Sequence, residues 1–201
     1  MSELSVQNHS SQYYEQRYTG FGLRYHTEVI QWLMGHAQGK VLDAGCGTGI
    51  VSQLYAKTSL DILGVDISEG MLAKHPGKWV KASVETLEDE QRHKIIHDES
   101  MDFVLARSIL HHLKNPRKAL WEFYRVLKPG APIAFWETNQ SLIASLVRKV
   151  TQHGDRFSEF HQSFRDTELL QMIREAGFCL EDVRYMGYLQ YPLYGFPDIL
   201  D

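Results

Sequence analysis

Val41-Leu42-Asp43-Ala44-Gly45-Cys46-Gly47-Thr48-Gly49 reads as a buried β-strand running into a sharp turn marked by three glycines. Glycine tolerates positive φ and lets a ligand approach the backbone, and the helix that follows offers unpaired N–H donors at its start. The spacing is GxGxG, whereas dinucleotide-binding turns carry GxGxxG. Downstream, Ile62-Leu63-Gly64-Val65-Asp66 closes a second strand on a carboxylate 21 residues beyond Gly45, placed to accept hydrogen bonds from both hydroxyls of a ribose.

Outward from this pair, short β-branched runs alternate with amphipathic stretches, the signature of βαβ units around a parallel sheet. Strands are expected at Val41 to Ala44, Asp61 to Asp66, Trp79 to Ala82, Asp102 to Ala106, Ile133 to Glu137 and Phe178 to Tyr185. Helices are expected at Gly49 to Lys57, Glu69 to Lys74, Pro116 to Val126, Leu142 to Thr151 and Asp166 to Ala176, the last capped by Asp166 and stopped by Gly177. The fold class is therefore α/β, a doubly wound and mostly parallel sheet with helices on both faces. Residues 1–201 form one domain on this reading. Residues 1–36 are an N-terminal helical segment rich in tyrosine, 37–138 the ligand-binding core, and 139–201 the substrate side and the completion of the sheet.

Composition narrows the function. With 43% hydrophobic residues the 201-residue chain can fill one sizeable core, and a formal charge of −4 provides no overall positive field to hold a phosphate backbone, so bulk nucleic-acid binding is not expected. The first residues lack a basic start followed by an apolar core, and no run of about 18 apolar residues occurs, so no membrane span is expected and a cytoplasmic location is. The two cysteines, Cys46 and Cys179, read as free thiols.

With Asp43 just ahead of its glycines and Asp66 beyond, the opening stretch resembles motif I of the class I (Rossmann-like) S-adenosylmethionine-dependent methyltransferases. Met101 to Leu113 and Leu120 to Gly130 resemble the fourth-strand segment and following helix of the type 11, UbiE-like small-molecule group, so the likeness covers most of residues 40–138. It implies S-adenosylmethionine as cofactor, held by Asp43, Gly45, Cys46, Gly47, Asp66, Ile67, Met71, Ser83, Val84 and Arg107. Ile67 and Met71 would flank the adenine. Ser83 stands where the family often has an Asp for the adenine amino group, and its hydroxyl or the Val84 backbone would take that bond. Gln12 to Tyr18 resembles the aromatic lid of many members, which adds Tyr14 and Tyr18 over the cofactor, with Arg24 a partner for its carboxylate. The family fold ordinarily has seven strands. No convincing final strand follows Tyr185, so either the last strand is missing, with this chain part of a longer protein, or the tail closes the sheet in an altered way.

A sulfonium already carries its leaving group, so the protein has to align an in-line attack, exclude water and, for a hydroxyl acceptor, take up a proton. His111 and His112 follow the strand edge that faces the methyl group and are the candidate bases, against the plain alternative of packing beneath the loop before Asn115. Arg107 could instead hold a substrate anion, and Glu137, at the carboxyl end of the fifth strand, is the candidate substrate contact, against capping or loop bonding. Arg107 to Leu110 is not the Pro-Pro-aromatic cluster of amino-methylating relatives, and neither cysteine sits in a Pro-Cys context, which leaves oxygen, a nitrogen in another setting or an activated carbon as the attacked atom. The aromatic run Phe157 to Arg165 points to an apolar or aromatic small-molecule acceptor. No zinc spacing occurs among the histidines and no metal is expected. Two rivals stand beside this reading: a module or partner subunit that binds S-adenosylmethionine or S-adenosylhomocysteine without turnover, for which the glycine loop would look the same, and a nicotinamide oxidoreductase, which the GxGxG spacing opposes. The oligomeric state is not encoded in any motif.

Overall fold

Lys40–Ala44 (β1) lies at the centre of a five-stranded parallel sheet whose order is β3-β2-β1-β4-β5, with β2 Asp61–Asp66, β3 Lys78–Lys81, β4 Phe103–Arg107 and β5 Ile133–Trp136. The computed structural model describes residues 20–137 and 164–185. Within them the helices are α1 Gly20–Leu33, α2 Ile50–Leu54, α3 Glu69–Leu72, α4 Pro116–Val126 and α5 Asp166–Glu175, joined by 3-10 turns at Met34–His36 and Leu110–His112.

Successive strand residues face opposite sides of a sheet, and here both sides are buried. Val41, Phe103 and Leu105 pack with Val29, Ile30 and Leu33 of α1 on one face. Leu42, Ala44, Val104 and Ala106 pack with Leu120, Phe123 and Val126 of α4 and Met172 and Ile173 of α5 on the other. Apolar residues in unbroken runs, rather than in alternation, are the consequence, and the doubly wound α/β expectation holds. The outer strand β3 is more exposed and carries Lys78, paired with Asp61 at 2.5 Å, and Lys81, paired with Glu69 at 2.9 Å. Charged edge residues of this kind discourage pairing with a second sheet.

The five strands fall within one residue of their expected ends and α4 keeps its expected bounds, while α2, α3 and α5 are shorter than expected. Gly49 has φ +81 and stays outside α2, which stops where the N–H and hydroxyl of Thr58 both donate to the Tyr55 carbonyl. Helix α3 is capped by Ser68, whose Oγ accepts from the Met71 N–H at 3.3 Å. At α5 the cap position belongs to Arg165. Asp166 is the first helical residue, and its Oδ1 accepts from the Thr167 N–H. Gly177, at φ +102, ends α5 as expected: its N–H donates to the Arg174 carbonyl and that of Phe178 to the Ile173 carbonyl, closing a Schellman motif.

The expected strand from Phe178 to Tyr185 is not one. Phe178 and Leu180 are half-buried against the core, with the Phe178 ring edge-on to Tyr124 and Phe135, while residues 181–185 are exposed and belong to no ladder among the described residues. Ring packing, rather than strand pairing, produces the alternating apolar pattern there. The helix expected at Leu142 to Thr151, the tyrosines Tyr13, Tyr14 and Tyr18, most of the run Phe157 to Arg165 and the tail beyond Tyr185 lie outside the described residues. No described helix is long and apolar enough to cross a membrane.

Helix α4 fixes the loop that carries the candidate bases. Asn115 caps it, accepting from the Lys118 N–H at 3.2 Å, with Pro116 in the first turn, and the Asn115 N–H donates to Glu85 at 2.8 Å. Asn115→Ala should cost about 1 kcal/mol and lower the melting temperature by about 2–4 °C, measured by circular dichroism. An unchanged melting curve would remove the cap from this account.

Candidate active site at the carboxyl edge

The strand order reverses between β1 and β4, and in open α/β sheets the crevice beyond such a switch point is where ligands bind. The two loops that leave these strands touch. A Cβ on Gly45 would lie 2.7 Å from Ile109 Cδ1, and Gly45 sits at φ +75, so only glycine lets the first turn pass this closely beneath the turn after β4. The N–H groups of Gly45 and Cys46 donate to the Val65 carbonyl at 2.8 and 3.2 Å, hanging the loop on the end of β2.

Asp66 completes the clasp. Its Oδ2 accepts from the Gly47 N–H at 2.9 Å and its Oδ1 from the Ser68 N–H at 2.8 Å. Burial pushes the Asp66 carboxyl up, opposed by the N–H groups of Ser68, Gly47 and Ile67 and by His112. Asp43, at the end of β1, is 2% exposed, and among the described residues its Oδ2 has no hydrogen-bond partner. Burial, opposed by Arg107 and reinforced by Asp66, raises its pKa to about 7. The two carboxylates, near the ends of the adjacent strands β1 and β2, are thus close enough for each to feel the other's charge.

The adenine-side candidates divide. Ile67 is 42% exposed at the rim, whereas Met71, within α3, is fully buried. Ser83 Oγ already accepts from the Glu85 N–H at 3.2 Å, and Val84 is buried. Cys46 turns its side chain away from the crevice: a Cβ on Gly64 in mid-β2 would meet its Sγ at 2.7 Å, and burial, followed by Asp43 and Asp66, drives its thiol pKa far up. Arg24 is exposed on α1, and Tyr25 stands edge-on to Trp136, with ring centroids 6.3 Å apart.

On the β4–β5 side, Ser108 takes φ +53, unusual for a residue with a Cβ, and its N–H donates to the Trp136 carbonyl at 2.7 Å. This kink turns the following N–H groups toward β5. Glu137 Oε1 accepts from Ile109 and Leu110 at 2.8 and 2.7 Å, and Glu137 Oε2 lies 2.6 Å from His111 Nδ1. The side chains of His111 and Glu137 are 7% and 1% exposed. The His112 ring is tilted against that of His111, with centroids 4.1 Å apart. The structure therefore brings His111, His112 and Glu137 into one cluster beside the glycine loop, a pairing that no motif had announced.

Comparison with known proteins identifies the family. The family described as Methyltransferase domain matches residues 42–135. The ubiquinone biosynthesis O-methyltransferase of Idiomarina loihiensis is 31% identical over 172 residues, covering 78% of this chain and 68% of that protein. Its counterpart in Methylococcus capsulatus is 29% identical over 180 residues, covering 79% and 72%. Among solved structures, a possible histamine N-methyltransferase from Thermotoga maritima superposes with a TM-score of 0.67 at 22% identity, covering 88% of this chain and 81% of that one. A Haemonchus contortus phosphoethanolamine N-methyltransferase, solved with S-adenosylhomocysteine, gives 0.65 at 17% identity, covering 89% and 44%. The two structures speak to the fold alone. The chain belongs to the class I S-adenosylmethionine-dependent methyltransferases, in the type 11, UbiE-like group. It is an enzyme of that kind, and S-adenosylmethionine is its cofactor.

The crevice suits that cofactor. A buried carboxylate oxygen without a partner calls for a cation or a donor, and S-adenosylmethionine brings an ammonium, a sulfonium and a ribose diol to a site that holds Asp43 and Asp66. Asp43 also ties binding to stability. Its folded pKa of about 7 lies above its ordinary 3.8, so the folded state binds the proton more tightly than the unfolded one, and stability falls as pH rises between those values. The charge costs about 4 kcal/mol at pH 8 in the cofactor-free protein. Asp43→Asn should therefore gain stability over the parent as pH rises from 5 to 8 in urea unfolding, while its affinity for S-adenosylmethionine drops. A stability difference that does not change with pH would contradict the buried charge.

Proposed function

We propose that the chain transfers the methyl group of S-adenosylmethionine to a hydroxyl oxygen of a small aromatic acceptor, with His111 as the base and Glu137 as the group that orients it. In this reading Asp43, the glycine loop Gly45 to Gly49, Asp66, Ile67, Ser83, Val84 and Arg107 hold the cofactor, which when bound supplies an electrophilic methyl on a positively charged sulfur. The observation that carries the proposal is the buried pair of His111 Nδ1 and Glu137 Oε2 at 2.6 Å, with the other carboxylate oxygen gripped by two backbone N–H groups.

A carboxylate so held accepts a hydrogen bond from the Nδ1–H and fixes the tautomer, which makes Nε2 the basic nitrogen of the ring. Nε2 then takes the hydroxyl proton as the oxygen–methyl bond forms and the sulfur–methyl bond breaks, leaving a neutral thioether. Oxygen as the attacked atom draws support from the relatives named ubiquinone biosynthesis O-methyltransferase. An aromatic acceptor accords with Trp136 and Tyr25 beside Glu137. A cytoplasmic location belongs to the same proposal and accords with the free thiols Cys46 and Cys179.

The test is turnover of a panel of phenols and catechols, with methyl transfer from labelled cofactor as the readout. His111→Ala should lower kcat/KM by about 10²–10⁴, the usual contribution of a general base. Glu137→Gln should lower it by a comparable factor, because an amide oxygen kept on the Ile109 and Leu110 N–H groups leaves its NH2 facing Nδ1, which imposes the wrong tautomer on the ring. The affinity of His111→Ala for S-adenosylmethionine should stay near that of the parent. Turnover of phenols by His111→Ala at the parent rate would overturn the assignment.

A further inference from the structure

We propose that His75, which no motif marks, is a positioning residue for the cofactor loop: its imidazole is a wedge beneath the glycine turn that holds Gly49 and Cys46 in place. The residue is 8% exposed and sits between α3 and β3. A Cβ added to Gly49 would lie 2.5 Å from its Cδ2, one added to Gly64 would lie 2.8 Å from its Nε2, and one added to Gly77 would lie 3.4 Å from its Cε1. The ring thus fills the side-chain space of Gly64 in the middle of β2 and, with Pro76 Cδ at 2.7 Å, that of Gly49 in the cofactor loop, and it touches Gly77 before β3 at ordinary van der Waals distance. Cys46 shares the Gly64 space, and Ser52 on α2 crowds Gly77 at 3.0 Å.

Glycine inside a strand is costly, and its presence at 64 marks a close approach by another group. Here that group is the pair of Cys46 and His75 side chains. The ring's orientation is set by the Gly77 N–H, which donates to Nδ1 at 3.1 Å, so the proton of the neutral imidazole sits on Nε2. Among the described residues neither Nε2 nor the Ser52 hydroxyl has a hydrogen-bond partner. A polar ring held against glycine backbone without its second hydrogen bond is retained for its shape. Burial also holds the imidazolium below its ordinary range, in keeping with a neutral wedge.

The inference rests on the loop being the cofactor site, and the experiment separates the two. S-adenosylmethionine is titrated calorimetrically into the parent, His75→Asn, Gly64→Ala and Asp66→Ala. His75→Asn keeps an acceptor for the Gly77 N–H and withdraws the ring from Gly49 and Gly64, while Gly64→Ala overfills the same space from the β2 side. Each should raise the Kd for S-adenosylmethionine about tenfold, with a matching rise in its KM and kcat at saturation within about twofold of the parent. Either variant that retains a cooperative melt suffices for the decision. A Kd unchanged in such a variant, or a loss of kcat with KM unchanged, overturns the proposal provided Asp66→Ala weakens binding. If Asp66→Ala binds like the parent, the loop's assignment to the cofactor falls, and the role of His75 with it.

Discussion

The clasp formed by Asp66 is the constraint on which the rest of the site depends. Its carboxylate joins the loop after β1 to the turn after β2 through the N–H groups of Gly47 and Ser68. Each of those donors would otherwise point into a crevice with no partner, and each costs more unsatisfied than it returns when paired. Because Ser68 is also the cap of α3, one side chain sets the shape of the glycine turn and the start of the next helix together. Asp66 can perform this role only at the end of β2, where the parallel register places Val65 opposite Ala44 and so brings the strand end beside the glycine turn.

The opposite wall is built by the same logic from different parts. Register pairs Arg107 with Trp136, so the residue that follows Trp136 emerges alongside the turn that follows β4. Ser108 bends that turn through a left-handed conformation, and the two N–H groups it redirects converge on a single oxygen of Glu137. Backbone kinks of this type cost about 1–3 kcal/mol and persist where surrounding contacts hold them. The return is a buried carboxylate whose second oxygen is aimed at His111. The Glu137 carboxylate is satisfied within the protein, whereas among the described residues Asp43 Oδ2 on the glycine-loop side has no hydrogen-bond partner. On the proposed reading, the asymmetry separates a wall that orients a base from one that receives a cationic ligand.

How much of this was legible in the sequence follows from what each feature depends on. The strands could be read because both faces of the sheet are buried, which leaves continuous apolar runs at Val41, Ile62 and Phe103. Asp66 could be read because its distance from the glycines is fixed by one βαβ unit. The pairing of His111 with Glu137 spans 26 residues and depends on β4 and β5 being neighbours, which no local pattern encodes. The Phe178 to Tyr185 segment was misread because packing of Phe178 against Tyr124 and Phe135 imitates the alternation of a strand.

His75 was illegible for a related reason, since a wedge leaves its trace in the residues it displaces and not in its own neighbourhood. Gly64 interrupts an apolar strand, and Gly77 follows two residues after His75, and each alone reads as ordinary turn or strand punctuation. Only the fold shows that these gaps and Gly49 surround one ring. The cofactor turn is therefore held from two directions by different forces. Asp66 restrains it from the crevice side by hydrogen bonds, and the imidazole, together with Pro76, restrains it from the core side by volume. Hydrogen bonds can be exchanged when a ligand arrives, while excluded volume cannot, so the fixed reference for the turn lies in the core beneath it.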